Sequence, residues 1–186
     1  MGGRFSVLEA EGPLGLVQNL LNTAALPKNP QSSPDLLDAP DTAAAWLASV
    51  GTPADRPGLR DLQTLRDALR RALIQRDHDT TEGSEPDAGI AVPVRAILAG
   101  DGTVSLAPER EGGADLRARV LLAVHAAQLA GTWSRLKVCR NPECRVAFWD
   151  SSRNTSAVWH DARTCGNIAN LRNSRARRQQ VRQTGP

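Results

Sequence analysis

Three cysteines and one histidine near the C-terminus have the spacing of a metal site. Cys139 and Cys144 flank an Asn-Pro pair, a turn-forming sequence that lets both sulfurs reach one centre. His160 and Cys165 are also four residues apart, so the layout is Cys-x4-Cys-x15-His-x4-Cys. Zinc takes four such ligands in a tetrahedron, with close pairs supplied by tight turns. The spacing therefore predicts one structural Zn²⁺ per chain, bound by these four residues.

Two other interpretations of these residues stay open at this point. The cysteines could be small buried apolar residues with His160 at the surface, or Asp150 or Asp161 could replace His160 as a ligand. Structural disulfides are disfavoured, because an odd number of cysteines leaves one unpaired. A catalytic zinc keeps an open position beside three protein ligands, so four candidates favour a closed structural site.

The aromatic residues concentrate in the same segment. Four of the six in the chain are Trp133, Phe148, Trp149 and Trp159. A module of about 45 residues buries too little apolar area to be stable alone, and a bound metal ion can supply the difference. We expect the aromatic rings to cover the metal site and to contact the preceding part of the chain.

The charges divide the chain into an acidic part and a basic part. Residues 1–134 carry 12 Lys and Arg against 17 Asp and Glu, whereas residues 135–186 carry 11 against 3. No acidic residue follows Asp161, but six arginines do. A basic segment of this kind suits a polyanion, although a solvated tail without a partner is the alternative.

A helix that starts near Asn167 would place several arginines roughly on one side. The planar guanidinium group bonds two acceptors at once, which suits phosphate and guanine. The predicted nucleic-acid-binding residues are Asn167, Asn170, Arg172, Asn173, Arg175, Arg177, Arg178 and Arg182.

Leucine spacing predicts a mainly helical body. We expect helices within residues 12–26, 38–51, 58–77 and 114–133. Residues 90–113 predict a short helix interrupted by Pro93, followed by a strand over 102–106. Asp38 or Asp41 is expected to cap the second helix, Gly51 to end it, and Leu129 to face inward from the fourth.

The remaining features limit the classes of function. No run approaches 18 apolar residues and the N-terminus lacks a secretory signal, so we expect a cytoplasmic protein without membrane contact. No phosphate loop or pair of catalytic carboxylates is present, which favours a protein that is not an enzyme. Asn19, Asn22 and Thr23 lie on or after the first helix at positions that its apolar stripe does not need, and they either line a ligand pocket or cap the helix end.

Residues 136–179 resemble the zinc finger of the CGNR family. The matching positions are Cys139, Cys144, Phe148, Asp150, Trp159, Cys165, Gly166 and Asn167. Two positions depart from the family pattern: His160 stands where the family has a cysteine, and Ile168 stands where it has the arginine of its name. Upstream, "LVQNLLNT" and "DLLDAPDTAAAWLASVG" resemble the family's N-terminal domain, called ABATE.

The resemblance implies a bacterial DNA-binding transcription regulator. Residues 1–132 would form a helical ABATE-like domain that senses a small-molecule effector, and 133–186 a CGNR-like zinc finger with a basic C-terminal helix. The expected fold class is mainly α (α+β), with a minor strand element, and a homodimer would let two half-sites be read. The alternatives are a zinc-stabilised module that binds a protein or RNA, and an enzyme with a catalytic zinc.

Overall fold

The structure, a computed structural model, describes residues 4–52, 58–78, 89–109, 116–171 and 178 of the 186-residue chain. The helices are α1 (Leu14–Leu21), α2 (Pro40–Ser49), α3 (Leu59–His78) and α4 (Leu116–Leu129). The strands are β1 (Val94–Leu98), β2 (Val104–Pro108), β3 (Leu136–Val138) and β4 (Ala147–Trp149). They form two antiparallel two-stranded sheets, β1–β2 and β3–β4. The predicted fold class, mainly α with small strand elements, is confirmed.

The core lies where α1 packs against α3 and α4. Leucine and valine recur at three- and four-residue intervals on these helices, so each helix has one apolar stripe. The fully buried side chains of this core include Val17, Leu20, Leu21, Leu62, Leu65, Leu73, Leu116 and Val120. The helical spacing read from the sequence therefore identified the contacts that stabilise the body.

Arg66 is a charged residue on the buried face of α3. Its guanidinium bonds the Asp35 carboxylate at 2.7 Å and the Thr23 hydroxyl at 3.1 Å, and only 5% of its side chain is exposed. The ion pair ties α3 to the loop between α1 and α2. A buried charge of this kind is tolerated because it is paired and hydrogen-bonded.

The ends of α2 differ in part from expectation. The N-cap is Ala39 without a side-chain cap hydrogen bond, so the predicted capping by Asp38 or Asp41 is wrong. Pro40 occupies the first helical position, where its missing N–H costs nothing. At the other end Gly51 has φ +67°, the left-handed conformation that glycine adopts readily, which confirms it as the terminator.

Residues 94–108 form a hairpin, and the predicted short helix after Pro93 is wrong. β1 pairs with β2 from Val94↔Pro108 to Leu98↔Val104. Valine and isoleucine favour extended backbone, and Gly102 with φ +85° allows the turn. The predicted strand is present as β2, displaced by two residues.

Helix α4 forms as expected, but Leu129 is 78% exposed. The prediction that it faces inward is wrong. It is the last residue of α4, where the chain turns away from the core at Gly131 with φ +70°.

The hairpin β3–β4 packs into the core of the helical body. Leu136, Val138, Ala147 and Trp149 belong to the same buried cluster as the leucines of α1 and α3. Arg76 of α3 also donates hydrogen bonds to the carbonyls of Trp133 and Leu136, at 2.9 and 2.8 Å. The boundary between residues 132 and 133 stays a prediction, and apolar packing is continuous across it.

Within the described residues, no helix combines the length and apolar character needed to cross a bilayer.

The Arg66–Asp35 pair gives a test of the body. Asp35→Ala should lower the free energy of unfolding by about 3 kcal/mol, because it leaves the Arg66 charge buried without its partner. Asp61→Ala breaks the exposed Arg117–Asp61 pair, whose side chains are 32% and 57% exposed, and should cost less than about 1 kcal/mol. Urea unfolding measures both, and equal losses would contradict this role of Arg66.

Candidate metal centre

The first ligand pair lies on a tight turn between β3 and β4. Cys139 follows β3 directly, and its N–H donates to the Val146 carbonyl at 2.8 Å. Asn141 builds the turn: its carbonyl accepts from the N–H of Cys144 at 2.9 Å and its side chain accepts from Glu143 N–H at 3.1 Å. The Asn-Pro turn expected from the sequence thus returns Cys144 to Cys139.

The second pair is joined by a five-residue π-helical turn, Ala162–Gly166. Asp161 caps it, since its carboxylate accepts from the N–H of Arg163 at 2.8 Å and the Thr164 hydroxyl at 3.0 Å. The Asp161 carbonyl accepts from the Cys165 N–H at 2.9 Å, which brings this cysteine back towards the preceding His160. Residues 167–171 continue as an α-helix, so the expected helix start near Asn167 is confirmed.

The two pairs meet at one point. The ligand atoms of Cys139, Cys144, His160 and Cys165 all lie within 4.8 Å of one another. His160 Nδ1 is 3.3 Å from the sulfur of Cys144 and 3.6 Å from that of Cys165. With Zn–S and Zn–N bonds of about 2.3 and 2.0 Å, a tetrahedral site separates sulfur and nitrogen ligands by about 3.5 Å. The geometry therefore fits one Zn²⁺ with His160 Nδ1 as its nitrogen ligand.

The acid–base behaviour of the thiols also fits a bivalent cation. The hydrogen bond from the Cys144 thiol lowers the pKa of Cys139. The same bond raises the pKa of Cys144, and burial raises the pKa of Cys165. Without a metal ion, the protein therefore favours ionisation of one of the three cysteines, Cys139. Zn²⁺ requires its cysteine ligands to be deprotonated and compensates their negative charge.

Asp150 stabilises the loop that carries His160 and is not among the clustered ligand atoms. Its carboxylate accepts from Lys137 Nζ at 2.8 Å and from the N–H groups of Ser152 and Ala157, both at 2.9 Å. Burial alone would raise the pKa of Asp150, but these hydrogen bonds outweigh it and lower the pKa to about 2. Asp150 and the cap Asp161 are thus engaged elsewhere, and His160 completes the cluster.

A pair of amides attaches the metal-binding hairpin to α1. Asn22 Oδ1 accepts from the Ala147 N–H at 2.9 Å, and its Nδ2 donates to the Ala147 carbonyl at 3.0 Å. Gln18 Nε2 donates to the same carbonyl at 3.4 Å. The Asn22 and Gln18 side chains therefore supply hydrogen-bond partners for the open edge of β4. Of the two, the sequence analysis singled out only Asn22, as a polar residue on an apolar helix.

Two of the three predicted ligand-pocket residues line a cleft in the structure, and the third does not. Asn19 and Asn22 line a cleft of about 460 Å³ between α1, α2 and the N-terminal segment. Thr23 does not line it: its buried hydroxyl donates to the Leu20 carbonyl at 2.7 Å and accepts from Arg66. Thr23 thus satisfies a backbone carbonyl near the end of α1.

The predicted nucleic-acid-binding residues are described only in part. Asn167 and Asn170 are exposed on the helix that follows Gly166, and Asn167 Nδ2 donates to the Arg163 carbonyl at 2.7 Å. Arg178 is helical and exposed. Arg172, Asn173, Arg175, Arg177 and Arg182 lie outside the described residues.

His160→Ala should weaken zinc binding by about 100-fold or more. Structural zinc sites contribute about 10–16 kcal/mol shared among four ligands, so one ligand accounts for roughly 3 kcal/mol. His125→Ala is the matched control, because His125 is exposed on α4. Competition with a zinc chelator measures both variants, and wild-type affinity in His160→Ala would contradict the ligand assignment.

Zinc removal should lower the urea midpoint of the helical body as well as that of the C-terminal segment. The reason is that Leu136, Val138, Ala147 and Trp149 lie in the body's core. Far-UV circular dichroism with and without chelator measures the effect, and added zinc should restore the midpoint. A body that unfolds at the same urea concentration without zinc would show two independent units.

Two family models match the chain. Residues 14–135 match ABATE, described as "Putative stress-induced transcription regulator". Residues 135–178 match the CGNR zinc finger. No curated protein matches the chain. Since the first match alone spans more than half of the 186 residues, the chain belongs to the ABATE family and carries a CGNR zinc finger.

Proposed function

We propose that this protein is a DNA-binding transcription regulator. Its zinc finger, residues 135–178, would fix the start of a basic helix that contacts DNA phosphates. The observation that carries the proposal is the position of this helix. It begins at Asn167, directly after the turn that contains the metal ligand Cys165.

Charge supports a nucleic-acid partner for this helix. Every charged residue after Asp161 is an arginine, and the residues before the finger are acidic in sum. The body would therefore repel DNA while the helix attracts it, so binding has one orientation. Each phosphate contact made by an arginine releases counterions, which makes affinity fall steeply with salt.

We further propose that the helical domain binds a small-molecule effector in the cleft lined by Asn19 and Asn22. Its volume of about 460 Å³ falls within the usual range for ligand sites.

The proposed DNA target implies a cytoplasmic location. The homodimer predicted from the resemblance stays a prediction.

We also propose that the protein is not an enzyme. Three cysteines and His160 fill a tetrahedron, and a catalytic zinc needs an open position for water or substrate.

The competing proposal is a zinc-stabilised module that binds RNA or an acidic protein. Duplex DNA binding that RNA of the same length does not compete away would favour the regulator.

Replacing Arg175 and Arg178 together with Gln should weaken binding to duplex DNA of any sequence. Loss of two phosphate contacts should also reduce the slope of log affinity against log salt by about 2. Arg60→Gln with Arg95→Gln is the matched control, since both arginines are exposed in the body. Fluorescence anisotropy at several salt concentrations gives both quantities. An unchanged slope in the first variant would contradict the proposal.

A further inference from the structure

The cleft beside α1 lies against the zinc finger. Its lining residues come from the N-terminal segment, from α1 and from the region of α2. Three of these residues also contact the finger. They therefore form a shared wall between the cleft and the metal-binding hairpin.

Asn22 and Gln18 are the first part of this wall. Both are buried, with 7% and 4% exposure, and both bond the backbone of Ala147 in β4. The next residue, Phe148, packs in one buried cluster with Cys139 and Cys165. A movement of the Asn22 side chain therefore changes its hydrogen bonds to Ala147. The neighbouring residue, Phe148, packs with the zinc ligands Cys139 and Cys165.

Val7 is the second part. It lines the cleft and packs against the same cluster of Cys139, Phe148 and Cys165. Arg4 fixes the segment that carries Val7. Its guanidinium donates to the carbonyls of Thr23 at 2.9 Å and Pro34 at 2.5 Å. The segment is thus held at Arg4 by hydrogen bonds to the body, and it packs against the finger at Val7.

The lining favours a neutral or cationic ligand with an apolar body. Val7, Leu36, Trp46 and Val50 supply the apolar surface. The Arg4 guanidinium is already used by carbonyl oxygens, and Glu9 is the other charged residue of the described lining. The Asn19 amide makes no hydrogen bond to any residue the structure describes, so it is available to orient a polar group of the ligand.

We propose that this cleft binds a small neutral or cationic organic molecule, and that its occupancy is transmitted to the zinc finger through Asn22, Gln18 and Val7. The inference deepens the proposed effector site and rests on the proposed regulator for its purpose. It needs no long pathway, because the same side chains line the cleft and contact the zinc finger. Coupling between two binding sites typically changes the affinity of the second site for its own ligand by about 5- to 150-fold.

The test uses the full zinc-loaded chain labelled with 5-fluorotryptophan. Trp46 lines the cleft and Trp159 packs against the zinc-ligand cluster, so their ¹⁹F resonances report on the two sites separately. Single Trp→Phe variants assign them. The probes are benzamide, benzylammonium and benzoate, which share one ring and differ in charge. We expect benzamide or benzylammonium to shift both resonances, and benzoate to shift neither at the same concentration.

Two variants on one helix separate binding from coupling. Asn19→Asp should change probe affinity while the Trp159 shift at saturation remains. Asn22→Asp cannot donate to the Ala147 carbonyl, so the Trp159 shift should fall at least several-fold while Trp46 still responds. ¹⁹F spectra of both variants without probe confirm that they are folded. A variant that fails to fold is replaced by Val7→Ala, which should reduce the same Trp159 shift.

The outcomes distinguish the claims. No shift of Trp46 with any probe, or an equal response to benzoate, would overturn the ligand site. A Trp46 shift without a Trp159 shift would overturn the coupling. Neither measurement contains DNA, so failure of the proposed DNA binding would appear only in the anisotropy experiment.

Discussion

Charge compensation at one metal ion decides how the C-terminal part of this protein is arranged. Cys139 follows β3, and Cys165 lies in the turn from which the helix of residues 167–171 continues. Burial and mutual contact disfavour ionisation of the three thiols together unless a bivalent cation is bound. The direction in which the helix of residues 167–171 leaves the finger therefore depends on Zn²⁺, because Cys165, in the turn directly before this helix, is one of the metal ligands.

The alternation of side chains along two short strands links that metal to the body. In β4, Ala147 and Trp149 face the helical core while Phe148 between them packs on the cysteines. Successive residues of a strand point to opposite faces, so a three-residue strand can serve both clusters. Lys137 is paired with Phe148 across the sheet and holds the loop before His160 through Asp150. The finger is thus built on the core of the body.

Much of the fold and of the metal site could be predicted from the sequence because both depend on local spacing. Leucine periodicity located the helices, and the Cys and His spacing located the four ligands. The errors came where local signals were weak or competed. Residues 94–98 carry apolar residues that suit a helix or a strand, and only pairing with β2 decides. Leu129 has the right period but lies where the chain leaves the core.

The sequence by itself determined which residues can bind the metal, where the helices run and where the positive charge lies. The tertiary structure alone decided what the isolated polar groups do. Asn22 and Ala147 are 125 positions apart, and no spacing rule connects them. Their hydrogen bonds form because the open edge of β4 is buried against α1, and buried backbone groups require partners. Arg66 is similar, since its charge is stable inside only where folding brings Asp35 beside it.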